Sequence, residues 1–256
     1  MTVPNKNGSG ATPVNKRQAA QALADRALAA RHKADALALA RKALDLDGEC
    51  TDAQVVRVRE ETGPSKAQIA QLKIIVDRAE ARLGTPFLRE HRGDLWEIEE
   101  ARPYLRARMA LASLYERSGR AALAVPHLES VLAFDAKDHL GARYRLVCCL
   151  LAAGDLKTLA EFLKKREGEG SVFMAWAALL VRIREGAGKG AEQALLDARR
   201  ANPYFEEFLT GRRRLPRELP GIPEPGSPEE AAAALKLFGD TWGNDREGMY
   251  WLFKHG

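Results

Sequence analysis

Residues 104–135 read YLRARMALASLYERSGRAALAVPHLESVLAFD, and their apolar spacing settles what kind of chain this is. Over Tyr104–Arg117 apolar residues recur three and four apart, Leu111, Ala112 and Tyr115 among them, which is the spacing of one helix face. Ser118-Gly119 breaks the run, since glycine accepts the left-handed conformation past a helix end. Ala124, Leu128 and Val131 restore the period over Ala121–Phe134, which stops at Asp135. The stretch predicts a helical hairpin.

The same pattern continues on both sides. Toward the C-terminus it predicts helices over Gly141–Ala153, Leu156–Arg166, Ser171–Arg184 and Ala191–Ala201, broken at Gly154-Asp155, at 186–190 and at Asn202-Pro203. The hairpin glycines Gly119, Gly154 and Gly186 stand 35 and 32 residues apart, a period that marks arrays of paired helices. Toward the N-terminus, Ala20, Leu23, Ala24 and Ala27, then Ala36, Leu37, Ala40, Ala43 and Leu44, predict a hairpin over about residues 16–47 that Asp47-Gly48 ends. Another spans Thr51–Leu83: Thr51-Asp52 caps its first helix, Gly63-Pro64-Ser65 breaks it, and Ser65 caps Lys66–Leu83. Residues 85–100 are less regular.

The chain thus divides into a disordered tail (1–15), a helical repeat array (16–211), a proline-rich connector (212–227) and a C-terminal helical segment (228–256). In the last, Ser227-Pro228-Glu229-Glu230 reads as an N-cap, a first-turn proline and acids on the positive helix end, opening a helix to about residue 238. A shorter helix over Asp245–Phe253 follows, and Trp242, Tyr250, Trp251 and Phe253 are expected to dock on the array.

Composition agrees with an all-α chain: 43 Ala and 33 Leu among 256 residues are strong helix formers. A hydrophobic share of 46% excludes disorder of the whole chain. Apolar runs such as Leu146–Ala153, 8 residues, fall far short of a membrane span. A formal charge of +5 is mild for this length, and only Arg212-Arg213-Arg214 is a basic cluster. Cys50, Cys148 and Cys149 have no disulfide-framework spacing, and Met1–Lys16 lacks the apolar stretch of a secretory signal, so the expected location is the cytoplasm.

Gly119-Arg-Ala-Ala-Leu-Ala124 with Leu128, Val131 and Asp135 resembles the second half of a tetratricopeptide repeat, and Leu111, Ala112 and Tyr115 fall on the matching positions of its first helix. Gly186, Ala191, Leu195, Ala198 and Pro203 fit a second half, Leu146, Val147, Leu150 and Gly154 a first half, and Ala36, Ala43, Leu44, Leu46 and Asp47 a second half with His32 in place of the glycine. Gly93-Asp-Leu-Trp96, Glu100-Ala-Arg-Pro-Tyr-Leu-Arg-Ala-Arg108, Gly141-Ala-Arg-Tyr144 and Ala201-Asn-Pro-Tyr204 with Gly211-Arg212 resemble segments of bacterial relatives of the suppressor-of-tumorigenicity-seven family. These resemblances cover about residues 16–255. They imply a tetratricopeptide-type helical-hairpin solenoid with a C-terminal helical cap and no established enzymatic activity, so the protein is not expected to be an enzyme.

In such arrays the first helix of each hairpin lines a concave groove that grips peptides. The repeat frame puts Arg106, Met109, Ser113 and Glu116 there, then Tyr144, Arg145 and Cys148, then Phe173, Trp176, Leu180 and Arg184. Aromatics beside arginines are the residues interfaces use as energetic centres. The expected occupant is a partner protein or peptide with acidic and aromatic anchors. Ser113 and Cys148 stand where chaperone-binding repeats carry asparagine, so a two-carboxylate clamp is not supported. The same residues equally suit a groove filled by the C-terminal helices. His32, His91, His127, His139 and His255 are scattered, and no catalytic, metal or cofactor motif is found, so none of these is expected. Trp96 is expected to anchor packing between the second and third hairpins. Two rival readings are a nucleic-acid-associated protein with a basic face joining Arg102–Arg108 to Arg212–Arg214, and an enzyme with an unrecognised site.

Overall fold

The computed structural model describes residues 13–60, 65–166, 168–186, 188–219, 221 and 223–255. Most of the expected tail, the Gly63-Pro64 break and Pro220 of the connector lie outside the described residues. Among the described residues the regular structure is helical, with no strand, and no helix is long and apolar enough to cross a membrane. Contacts divide the chain into two compact units, one comprising residues up to Arg120 with Ser130–Leu140, the other Ala121–Glu129 with the residues from Gly141 onward.

The first unit opens with α1 (Val14–Ala29) and α2 (Lys33–Leu46), packed side by side. Ala20, Ala24 and Ala27 face Ala36, Ala40 and Ala43 in one buried cluster with Cys50, Ala53 and Val56. Alanines at these spacings form a smooth stripe on each helix, and the absence of bulk lets the two axes come close. Asp47 ends α2 in extended backbone, and Gly48 does not take the left-handed conformation expected of it. Cys50, not Thr51 or Asp52, occupies the N-cap position of α3 (Thr51–Arg59), and no side chain caps the helix there; Thr51 and Asp52 lie in its first turn, buried, where they serve tertiary contacts. α4 (Lys66–Leu83) begins with a full capping box, Ser65 and Gln68 each bonding the other's backbone N–H. Gly84, at φ 82°, turns the chain into α5 (Thr85–Glu90), followed by two 3-10 turns, Leu95–Glu97 and Glu99–Ala101, and then α6 (Arg102–Arg117). α1 and α6 both pack on α3, and α4 packs on α6.

α7 (Ala121–Phe134) holds its helix through an internal proline, Pro126, while Ala124, Leu128 and Val131 are fully buried. A proline there removes one backbone hydrogen bond, so burial of that stripe is what keeps the helix continuous.

The second unit continues with α8 (Ala142–Ala153), α9 (Leu156–Lys164), α10 (Val172–Arg184), α11 (Gly188–Ala201), α12 (Phe205–Leu209), α13 (Pro228–Gly243) and α14 (Arg246–His255). Gly154, left-handed at φ 72°, makes the turn between α8 and α9 as expected. The Ser227 side chain caps α13, which runs five residues beyond the expected 238. α10 is the hub of this unit, in contact with α8, α9, α11, α13 and α14. It is apolar nearly all round, as a helix buried on most sides must be.

Candidate functional site

In the first unit the groove-frame residues Arg106, Met109 and Ser113 lie half-buried on α6. Arg106 reaches Asp52 of α3, Nε to Oδ1 at 3.0 Å, with a second bond from Nη2 to Oδ2, and its guanidinium also meets Asp25 of α1 at 3.6 Å. Asp52 is fully buried, and Gln21 donates to it at 2.7 Å and to Asp25 at 2.9 Å. Burial works against the charged guanidinium, but its bonds and attraction to Asp52 outweigh that and hold Arg106 above the usual arginine range. Both carboxylate oxygens of Asp52 are engaged by Arg106, and Gln21 adds a further bond, so the group ties α1, α3 and α6 together.

Beside this network lies Trp96, half-buried, with the guanidinium groups of Arg102 and Arg106 at 5.6 and 5.9 Å from its ring. His139 stacks with it at 5.6 Å and 14° between planes. Asp135, itself buried, positions that imidazole through Nδ1 at 2.8 Å and the His139 backbone N–H at 2.8 Å. An aromatic plate flanked by cations suits a group that offers an aromatic ring or a negative charge, although Asp25, 57% exposed, already takes part of the Arg106 charge. A neighbouring cavity of about 360 Å³ is lined by Cys50, Arg82, Glu99 and Tyr104 among others. Burial pushes the Cys50 thiol up, which keeps it protonated. Burial likewise pushes the Tyr104 phenol up to about 12, against the pull of Arg108.

In the second unit the corresponding residues of α8 and α10 are covered by the chain's own C-terminal helices. Phe173 packs between Tyr144, edge-on at 5.0 Å, and Phe238 of α13, tilted at 4.3 Å. Trp176 is fully buried against Phe205 of α12 at 4.7 Å and Trp242 of α13 at 5.7 Å. The Cys148 thiol points to the Leu237 carbonyl at 3.7 Å. Arg184 pairs with Asp245, and its Nη1 donates to the Leu151 carbonyl at 2.9 Å. Arg145 is half-buried on the same helix as Tyr144. Of the late aromatics expected to dock, Trp242 and Trp251 are buried, whereas Tyr250 and Phe253 stand 63% and 66% exposed. They lie on the solvent side of α14, one turn apart. The indole N–H groups of Trp176 and Trp242 are buried with no acceptor among the described residues. Each such donor costs about 1–3 kcal/mol relative to a paired one.

The basic cluster is largely engaged within the chain. Arg212 reaches the buried Glu206 at 2.6 Å beside Arg199, also at 2.6 Å, and Arg213 reaches Glu207 at 3.3 Å while lying over the Tyr204 ring at 4.9 Å. The acids on α1 and α3, Asp25 and Asp52, Phe238 of α13 and Asp245 in the turn after it had no signal in the repeat frame, which assigns groove positions only to the first helix of each hairpin. Asp52 in particular looks like a cap in sequence. Comparison of the chain with known protein families, with curated proteins and with solved structures found no match.

Proposed function

We propose that the protein is a non-enzymatic interaction scaffold, a tetratricopeptide-type solenoid of helical hairpins that holds a segment of a partner protein, working in the cytoplasm. The likeness to bacterial relatives of the suppressor-of-tumorigenicity-seven family belongs to the same reading. The observation that carries it is the seating of α13 and the turn after it on α8 and α10, through Phe238 and Trp242 of the helix and the Arg184–Asp245 pair of the turn. A surface that holds an amphipathic helix by two aromatic anchors and one ion pair has the chemistry of helix-in-groove recognition. In the first unit the same kind of position, on α6, carries Arg106 and Met109, both half-buried, and the Arg106 guanidinium stands 5.9 Å from the Trp96 ring. That face, with Trp96 as its aromatic contact and Arg102 rather than the already paired Arg106 as its cation, is the one we assign to a partner segment with an acidic and an aromatic anchor.

The nucleic-acid reading has less support, because Arg106 and Arg108 are paired with Asp52 and Glu80, and Arg212 and Arg213 with Glu206 and Glu207. Affinity purification with the wild type and a Trp96→Ala/Met109→Ala variant tests the scaffold. A partner captured by the wild type is expected to be lost from the variant while the far-ultraviolet helical signal stays the same. Identical partner lists overturn the reading. Trp176 is a poor choice for this purpose, since truncating a fully buried indole opens the core.

A further inference from the structure

α12 and α13 are joined through residues 210–227, of which those described, 210–219, 221 and 223–227, form no helix. The start of α13 is pinned: the Asn202 amide donates to the Ser227 carbonyl and to Glu230, each at 3.0 Å. Its contacts with α8 and α10 lie in the second half and just beyond. Phe238 and Trp242, four residues apart on one face of α13, meet Phe173 and Trp176, and Asp245, in the turn between α13 and α14, meets Arg184 while its Oδ1 accepts from the Gly248 N–H at 2.7 Å. This seat differs from an ordinary core contact in one respect. It buries two indole donors, those of Trp176 and Trp242, without acceptors among the described residues. An unpaired buried donor is penalised, so α13 is held less firmly than its apolar contact alone would hold it.

We propose that α13 and α14 are a displaceable occupant of α8 and α10, and that this face takes in their place a partner helix with an aromatic residue, a second aromatic four residues on and a carboxylate just past the helix end, three residues after the second aromatic. The inference rests on the scaffold reading and names the partner for this part of it. Arg184 selects the carboxylate, and Phe173 and Trp176 receive the rings. A tethered segment has the advantage of high local concentration. An incoming helix that carries a hydrogen-bond acceptor beside its second ring offsets that advantage by pairing an indole N–H that α13 leaves unpaired, and only such a difference in affinity can shift the balance.

The test uses the full chain and a fluorescent peptide of residues 227–246, SPEEAAAALKLFGDTWGNDR. In the chain alone, amides of α13 and α14 are expected to exchange with solvent roughly tenfold or more faster than those of α8 and α10, as in a local opening. Excess peptide is expected to strip protection from α13 and α14 while α10 keeps it. Trp242→Ala in the chain, which weakens the resident helix, is expected to tighten peptide binding by roughly tenfold. A peptide with lysine replacing its aspartate at the Asp245 position is expected to lose that gain, and Arg184→Glu in the Trp242→Ala background to reverse the preference. Exchange of α13 and α14 as slow as that of α10 overturns the inference, and the wild-type chain suffices for that measurement should the variant not fold. The scaffold is tested separately through Trp96 and Met109, so an immobile α13 with partner capture intact overturns displacement alone.

Discussion

Asp52 is a carboxylate with no solvent exposure, and Arg106 is what makes its burial tolerable. Removing one partner of such a pair leaves an uncompensated buried charge, which is far more damaging than the pair is stabilising. Arg106→Ala is therefore expected to lower unfolding stability by about 3 kcal/mol, measured by urea titration, with Gln21 compensating only in part. Asp52→Asn, which keeps the shape and removes the charge, is expected to lower it less. Glu206 gives a pH-dependent counterpart. Burial raises its pKa, but the bonds from Arg199 and then Arg212 outweigh this and hold the carboxyl below the usual range. A carboxylate depressed in the folded state adds stability that is complete above its unfolded pKa and fades as pH falls through the folded one. Wild type is expected to exceed Glu206→Gln in melting temperature at pH 7, and the gap to close on acidification below about pH 4. A gap that persists at acid pH would show that the carboxylate charge is not its source.

Gly248, in the first turn of α14, lies where that helix meets α10. A Cβ there would stand 2.6 Å from Leu180 Cδ1, a side chain that is fully buried, and 3.3 Å from the Trp242 ring. Overpacking of this kind typically costs about 1–3 kcal/mol, and we expect Gly248→Ala to destabilise the second unit by that amount in thermal melts. The helices themselves were largely evident in the chain. α4 and α7 begin and end where periodicity and turn residues put them, because their stripes are long and their stops are local. α5 and α12 escaped notice, being 6 and 5 residues long and too short for a period to register. The cap expected at Thr51-Asp52 failed for a different reason. A polar side chain at a helix start suits a local cap and a distant ion pair equally well, and here the pair with α6 takes it.

The two units each bury their own core, one around the alanine hairpin with α3, α4 and α6, the other around α10. Denaturant unfolding is accordingly expected to depart from a single transition. Arg106→Ala should move one midpoint and Gly248→Ala the other, and coincident shifts in both variants would contradict separate cores. The groove-frame residues divide along the same line. Those on α6 keep partial exposure, whereas Phe173, Trp176 and Cys148 lie beneath α13. The all-α class, most helix limits and the alanine and leucine seams were readable from the chain alone, because periodicity, caps and turn glycines are relations between residues a few positions apart. Which face is covered, and by what, depends on contacts such as Arg184 with Asp245, 61 residues distant. Nothing in either segment alone records that contact, because an apolar stripe specifies that it must be buried and not the surface that buries it.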